Sequence, residues 1–137
     1  MSLAAGGTLT WNTFLGSGAL NEDYSTAIAA DASGNSFEVG QSHATWGSPV
    51  RVYTAGADAF VSKLDSAGNL LRDTFFRAVP NGSSLGDIGR GIAVNASGTS
   101  YVTGDSSHDW GTPIRSYTGG SDGFVASLNP ADDVQCS

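Results

Sequence analysis

Ile28-Ala29-Ala30-Asp31-Ala32-Ser33-Gly34 returns 64 residues later as Ile92-Ala93-Val94-Asn95-Ala96-Ser97-Gly98. The same offset aligns Trp46-Gly47-Ser48-Pro49-Val50-Arg51 with Trp110-Gly111-Thr112-Pro113-Ile114-Arg115, and Tyr53-Thr54 with Tyr117-Thr118. It also sets Asp58-Ala59-Phe60-Val61 against Asp122-Gly123-Phe124-Val125. Residues 26–68 against 90–132 give 20 identities in 43 ungapped pairs, far above chance, so the chain is a tandem duplication. A third, partial match sets Leu9-Thr10-Trp11-Asn12-Thr13-Phe14 against Leu70-Leu71-Arg72-Asp73-Thr74-Phe75 at an offset of 61. The shorter offset makes the loop over 77–86 longer than its counterpart over 16–22, a change that loops absorb at small entropic cost.

Each unit reads as four short strands. Residues 26–30 and 36–40 flank Asp31-Ala32-Ser33-Gly34-Asn35, where Gly34 can take the left-handed backbone of a tight hairpin. Asn95-Ala96-Ser97-Gly98-Thr99 repeats that turn between 91–94 and 100–104. A longer loop with the Trp-Gly-x-Pro element follows, and Pro49 and Pro113 keep it out of a sheet interior. Strand three lies over 59–64 or 123–128, and strand four over 70–76. The 19 glycines and the runs of Thr, Val, Tyr and Ser agree with short strands, and no segment carries the apolar period of a helix. Four antiparallel strands at even spacing with a recurrent aromatic motif are the composition of a β-propeller blade. The expectation is an all-β single domain over 1–137, with repeat one and its leading strand over 8–68, repeat two over 69–130 and a polar tail over 131–137.

These residues resemble the bacterial SBBP-type β-propeller repeat. That repeat joins a Gly-Ile-Ala-Val-Asp-x-x-Gly-Asn-x-Tyr-Val-x-Gly hairpin to an Asp-Ala-Phe-Val-x-Lys-Leu strand and an aromatic Thr-Phe/Tyr-Leu-Gly strand. Here the hairpin is 27–40 and 91–104, the next strand 58–64 and 122–128, and the last strand 11–16. The likeness spans about residues 9–129, and Glu38, Arg77 and Ser127 depart from it. It implies a scaffold module of a secreted or surface protein and is mute about activity.

If residues 26–30 form the inner strand, as the resemblance implies, repeat one ends in an outer strand over 70–76, whereas repeat two runs into Asn129-Pro130-Ala131-Asp132-Asp133 without one. A surplus outer strand over 8–15 stands at the other end. Two blades cannot close a propeller, because blades pack face to face around an axis and at least four are needed. Residues 8–15 are therefore expected to complete the last blade, over 123–128, of a neighbouring subunit in a head-to-tail homo-oligomer. Two, three or four copies give four, six or eight blades, with the trimer favoured. A piece of a longer propeller would read the same way.

Net charge is −7 with only six Lys plus Arg, which disfavours a phosphate backbone, so nucleic acid is not expected as a partner. The opening Met1-Ser2-Leu3-Ala4-Ala5-Gly6-Gly7 lacks the basic stretch and apolar core of a signal peptide, and no apolar run approaches a bilayer span. The expectation is a soluble chain with no membrane insertion. Cys136, the single cysteine, excludes an internal disulfide and reads as a tail thiol.

The candidate ligand-binding residues are Trp46, Arg51, Tyr53 and Asp58 with their counterparts Trp110, Arg115, Tyr117 and Asp122. Aromatic rings in repeated loops can stack on sugar faces, which would make a lectin-like propeller; the plainer reading has each Trp plug the junction between blades. Arg51 with Asp58 and Arg115 with Asp122 can form ion pairs bracing the loop, or capture a ligand carboxylate. Asp23 and Asp87 precede the inner strands, but identical positions give identical environments, whereas glycoside hydrolysis needs two carboxyls with separated pKa values. No catalytic residues and no cofactor are expected. His43 and His108 are out of register and the acidic turns lack a calcium-loop spacing, so no metal site is expected. Asn81 and Asn95 head glycosylation-type triplets, Asn95 being accounted for by its turn. The sequence thus leaves a non-enzymatic scaffold or protein-interaction propeller, with a carbohydrate-binding propeller as the alternative.

Overall fold

The computed structural model describes residues 2–3, 6–18, 20–54, 56–76, 86–130 and 134–135. Arg77, Asn81 and Cys136 lie outside the described residues, as does most of the long loop over 77–86. The chain is all-β, with no helix among the described residues. Strands β1 (Ser2–Leu3) and β2 (Leu9–Trp11) form a ribbon. Strands β3 (Asp23–Ala30), β4 (Ser36–Ser42), β5 (Asp58–Leu64) and β6 (Leu70–Phe76) form sheet one as an antiparallel meander in that order. Sheet two repeats it with β7 (Ile88–Val94), β8 (Ser100–Ser106) and β9 (Asp122–Leu128), and its fourth place is held by the two-residue β10 (Val134–Gln135).

The hairpins are set by their turn chemistry. Asp31 Oδ1 accepts from the backbone N–H of Ser33 at 2.9 Å and of Asn35 at 3.0 Å. Asp65 does the same for Ala67 and Asn69, and Asn95 for Ser97 and Thr99. One short acceptor therefore satisfies two backbone donors that no ladder reaches, while the glycine at the fourth position takes a positive φ, 82° at both Gly34 and Gly98.

The inner strands run further than alternation indicates, from Asp23 and Ile88, because each carries a bulge. The register slips between Ser25 and Ala27 and again between Gly89 and Gly91. At the bulge the inner-strand carbonyl points straight at the next strand, and only glycine fits there: a Cβ on Gly40 would lie 1.7 Å from Tyr24 O, and one on Gly104 2.0 Å from Ile88 O.

Alternation gives each sheet two faces. On sheet one the forward face carries Phe37, Val39, Ala59, Val61 and Phe76, and the rear face Glu38, Phe60, Ser62, Leu64 and Phe75. The forward face packs on the rear face of sheet two, so that Val39, Ala59, Val61 and Phe76 share one core with Val102 and Leu128, flanked by Ile92 and Phe124. Gly89 of β7 rests on Val39 and Gly40, and Thr26 Oγ1 donates to Gly89 O at 2.5 Å, which joins the two inner strands. The rear face of sheet one is closed by a separate aromatic cluster of Trp46, Phe60 and Phe75, against which Leu15 and Tyr53 pack.

Phe76 sits between the sheets and is fully buried. Phe76→Ala is expected to cost about 3–5 kcal/mol of unfolding free energy, measured by urea denaturation, whereas Ile114→Ala, on a loop side chain that is 85% exposed, should leave the midpoint unchanged.

Candidate functional site

Two structurally equivalent loops, 43–57 and 107–121, carry the candidate residues. Each is anchored at both ends by a carboxylate. Asp58 accepts from Thr54 N at 2.7 Å and from Thr54 Oγ1 at 3.1 Å; Asp122 accepts from Thr118 N at 2.7 Å and from its Oγ1 at 2.9 Å. The brace on Asp58 and Asp122, expected from Arg51 and Arg115, is made by threonine, whose N–H and O–H both reach the carboxylate. Among the described residues the ion pair recorded joins Arg90 to Asp105, on neighbouring inner strands of sheet two. Tyr53 and Tyr117 bond through their hydroxyls to Gly56 O and Gly120 O, at 3.1 and 3.0 Å.

At the other end, sequence reading missed the centre of the arrangement. Ser42 Oγ has Asp23 Oδ1 and Ala44 O as acceptors in reach of its one proton, while it accepts from Ala44 N at 3.3 Å and from Trp46 Nε1 at 3.2 Å. Ser106 repeats this with Asp87 Oδ1 at 2.5 Å, His108 O, His108 N and Trp110 Nε1 at 3.2 Å. A serine hydroxyl has two acceptor lone pairs, and both are taken here by N–H donors. Asp23 and Asp87, expected just ahead of the inner strands, lie at the first residue of β3 and just before β7, and brace the inner strand to the Trp loop. The signal was present in the sequence, since Ser42 and Ser106 are identical at the repeat offset. His43 Nδ1 meets Glu22 O and His108 Nδ1 meets Ser107 Oγ, both at 2.9 Å and neither on the serine of the brace. Among the described residues no group of three or more His, Cys, Asp or Glu side chains gathers as metal ligands.

The two loops differ in what lies under them. Trp46 is buried edge-on against Phe60 at 5.1 Å and Phe75 at 5.7 Å, and Val50 N and Arg51 O bond to Asp73 O and Phe75 N of β6. Asp73 is buried beneath Gly47, and desolvation raises its carboxyl above the usual range despite the Ser48 N–H it accepts. In unit two, Trp110 meets Phe124 edge-on at 5.2 Å and stacks on Phe76 of sheet one at 5.9 Å. Among the described residues a groove of about 800 Å³ lies beside β9, and Trp110, Arg115, Tyr117 and Asp122 all line it together with Ile114 and Phe124. Thus the candidates of unit two form one concave surface, whereas those of unit one are taken up in packing.

Glu38 is a second acid, after Asp73, whose burial raises its carboxyl. It stands where unit two has Val102, accepts from Ser62 Oγ at 3.0 Å, and lines a cleft of about 480 Å³ with Phe14, Leu15, Ile28 and Leu64. Desolvation raises its carboxyl above the ordinary range, only partly offset by the hydrogen bonds of Ser36 and Ser62. No protein-family model matches the chain, and no curated protein matches it.

Ser42→Ala strips partners from Asp23 and Trp46 together, so a loss of about 1–3 kcal/mol is expected in chemical denaturation, with the same result for Ser106→Ala. Glu38 holds its proton to higher pH when folded than when unfolded, so its ionisation erodes stability as the pH rises. Glu38→Gln should therefore raise Tm at neutral pH, the gain shrinking as the pH falls toward about 4, as thermal melts across that range will show.

Proposed function

We propose that the chain is a two-blade module of a β-propeller, of the SBBP repeat kind, that closes into a ring with further copies of itself and works as a non-enzymatic scaffold or protein-interaction surface. The observation that carries this reading is the contact between unlike faces of like sheets. Sheet one covers its forward face with the rear face of sheet two, and sheet two presents the same forward face uncovered. Tyr101 and Val125 stand where Phe37 and Val61 are buried, and are 48% and 79% exposed. A contact of this heterologous kind has no built-in end, and it closes when the rotation per blade divides a full turn. On the rear side of sheet one Ile28 is exposed beside a cleft, whereas its counterpart Ile92 packs against the core between the sheets; Phe60, Leu64 and Phe75 of that face are buried within the chain. Three copies, giving six blades, are favoured over two or four.

Leu15 adds support. It corresponds to Phe76 at the outer-strand offset, and it packs on the Trp46 cluster as Phe76 packs on Trp110. The segment before sheet one therefore already stands where the last strand of a preceding blade would stand.

The carbohydrate-binding alternative needs aromatic faces free to stack. Trp46 is buried and Trp110 lies on Phe76, which favours the scaffold. Light scattering coupled to size exclusion should give a mass near three times the 13.9 kDa chain; a species that stays at one chain mass at every concentration contradicts the ring. A glycan array should remain silent, and binding abolished by Trp110→Ala in a still folded protein would replace the scaffold with a lectin.

A further inference from the structure

The inner strands of the two sheets meet at their bulges, and the two repeats bring different residues to that place. Thr26 and Arg90 are equivalent at the repeat offset, each the bulge residue of its strand. Thr26 Oγ1 lies 2.5 Å from Gly89 O, so the bulge of sheet one reaches the residue just before the bulge of sheet two. Gly89 is buried there, and a Cβ on it would fall 2.2 Å from Val39 Cγ2 and 3.1 Å from Gly40 O. A short hydroxyl and a bare glycine are what the joint inside the chain requires.

On the sides that face away from this joint the same positions read differently. Gly89 is answered by Ser25 and Thr26 by Arg90, while Val39 and Gly40 are answered by Thr103 and Gly104. Ser25 on sheet one is exposed, and so are Arg90 and Thr103 on sheet two. Ser25 carries the Cβ that Gly89 must lack, so a sheet laid over it stands further off than the two sheets of one chain stand from each other. A threonine would not span that wider gap, and the longer arginine side chain does.

Charge points the same way. Ser25 lines the cleft of about 480 Å³ together with Asp23 and Glu38, and among the described residues no Lys, Arg or His lines it. Asp23 is held by Ser42 and by the N–H of Ser17, and Glu38 accepts from Ser62. Glu38 replaces the apolar Val102 of unit two, and a carboxylate buried in such a place is costly until a cation pairs with it. Arg90 is the matching group. Its Nε is bonded to Asp105, and its two Nη groups remain as donors in a planar fork suited to a carbonyl or a carboxylate.

We propose that Arg90 of a second copy enters the Glu38 cleft, donates to Ser25 O and faces the Glu38 carboxylate, making between copies the joint that Thr26 and Gly89 make within the chain. This inference rests on the ring reading and names its contact. The partner copy completes the cleft by supplying its positive charge. Because Val102 holds the place of Glu38 inside the chain, the two joints are not interchangeable, which fixes the order in which sheets follow one another.

The contact is tested with two single-cysteine chains in a Cys136→Ser background under mild oxidation. Ser25→Cys in one chain and Thr103→Cys in the other should give a disulfide-linked pair on a non-reducing gel, because Gly89 and Val39 touch at the equivalent place. Neither chain oxidised by itself should link. Arg90→Ala in the Thr103→Cys chain and Glu38→Gln in the Ser25→Cys chain should each weaken association about tenfold, and the two together no further. The higher Tm expected for Glu38→Gln holds for chains diluted below assembly, so weakened association in that variant is not unfolding. If the parent is an oligomer but the mixed pair fails to link, or Arg90→Ala associates like the parent, or the two substitutions add, the contact is wrong while the ring survives. A parent that is itself one chain in mass overturns both.

Discussion

The contact between the forward face of sheet one and the rear face of sheet two governs everything else in the molecule. It removes Val39, Ala59, Val61 and Phe76 from water together with Val102 and Leu128 in one apolar core shared by both sheets. Because the two sheets are copies of one unit, burying unlike faces leaves the forward face of sheet two uncovered, with Tyr101 half-exposed and Val125 exposed. On the rear face of sheet one, by contrast, Phe60, Leu64 and Phe75 are buried within the chain.

A polar skeleton holds the loops so that this packing can occur. Few cations are available, and carboxylates are stabilised mainly by N–H and O–H donors. Asp31 and Asp65 cap hairpins, and the Asn35 and Asn69 amides with the turn N–H groups hold both carboxyls below the usual range. Asp58 and Asp122 hold threonines, and Asp23 and Asp87 hold serines that in turn hold tryptophans. Residues whose types alone would admit acid–base or ligand chemistry are thereby committed to loop geometry. Among the described residues a concave surface remains beside Trp110.

Much of this was readable in the residues. Turn chemistry is local, so Asp31 to Asn35 and Asn95 to Thr99 announce their hairpins, and period-two alternation places β4, β5, β8 and β9 to within two residues. The Ser42 and Ser106 brace was also legible as an identity at the repeat offset, although nothing in a serine by itself announces a partner. The threonine braces of Asp58 and Asp122 were hidden because opposite charge is the stronger prior, while a threonine four residues earlier offers two donors at lower entropic cost. The bulges at residues 26 and 90 were hidden because a bulge changes register without changing composition.

Sequence by itself determined the duplication, the all-β class, the hairpin turns and the alternation of faces, since each depends on neighbours within a few residues or on the repeat. Only the tertiary structure decided which face meets which, that Leu15 lies on the Trp46 cluster while Phe14 is exposed, and that Val50 and Arg51 edge β6. Those outcomes depend on contacts between surfaces far apart in the chain, and near-identical residues in the two units end in different surroundings because only one unit has a sheet in front of it.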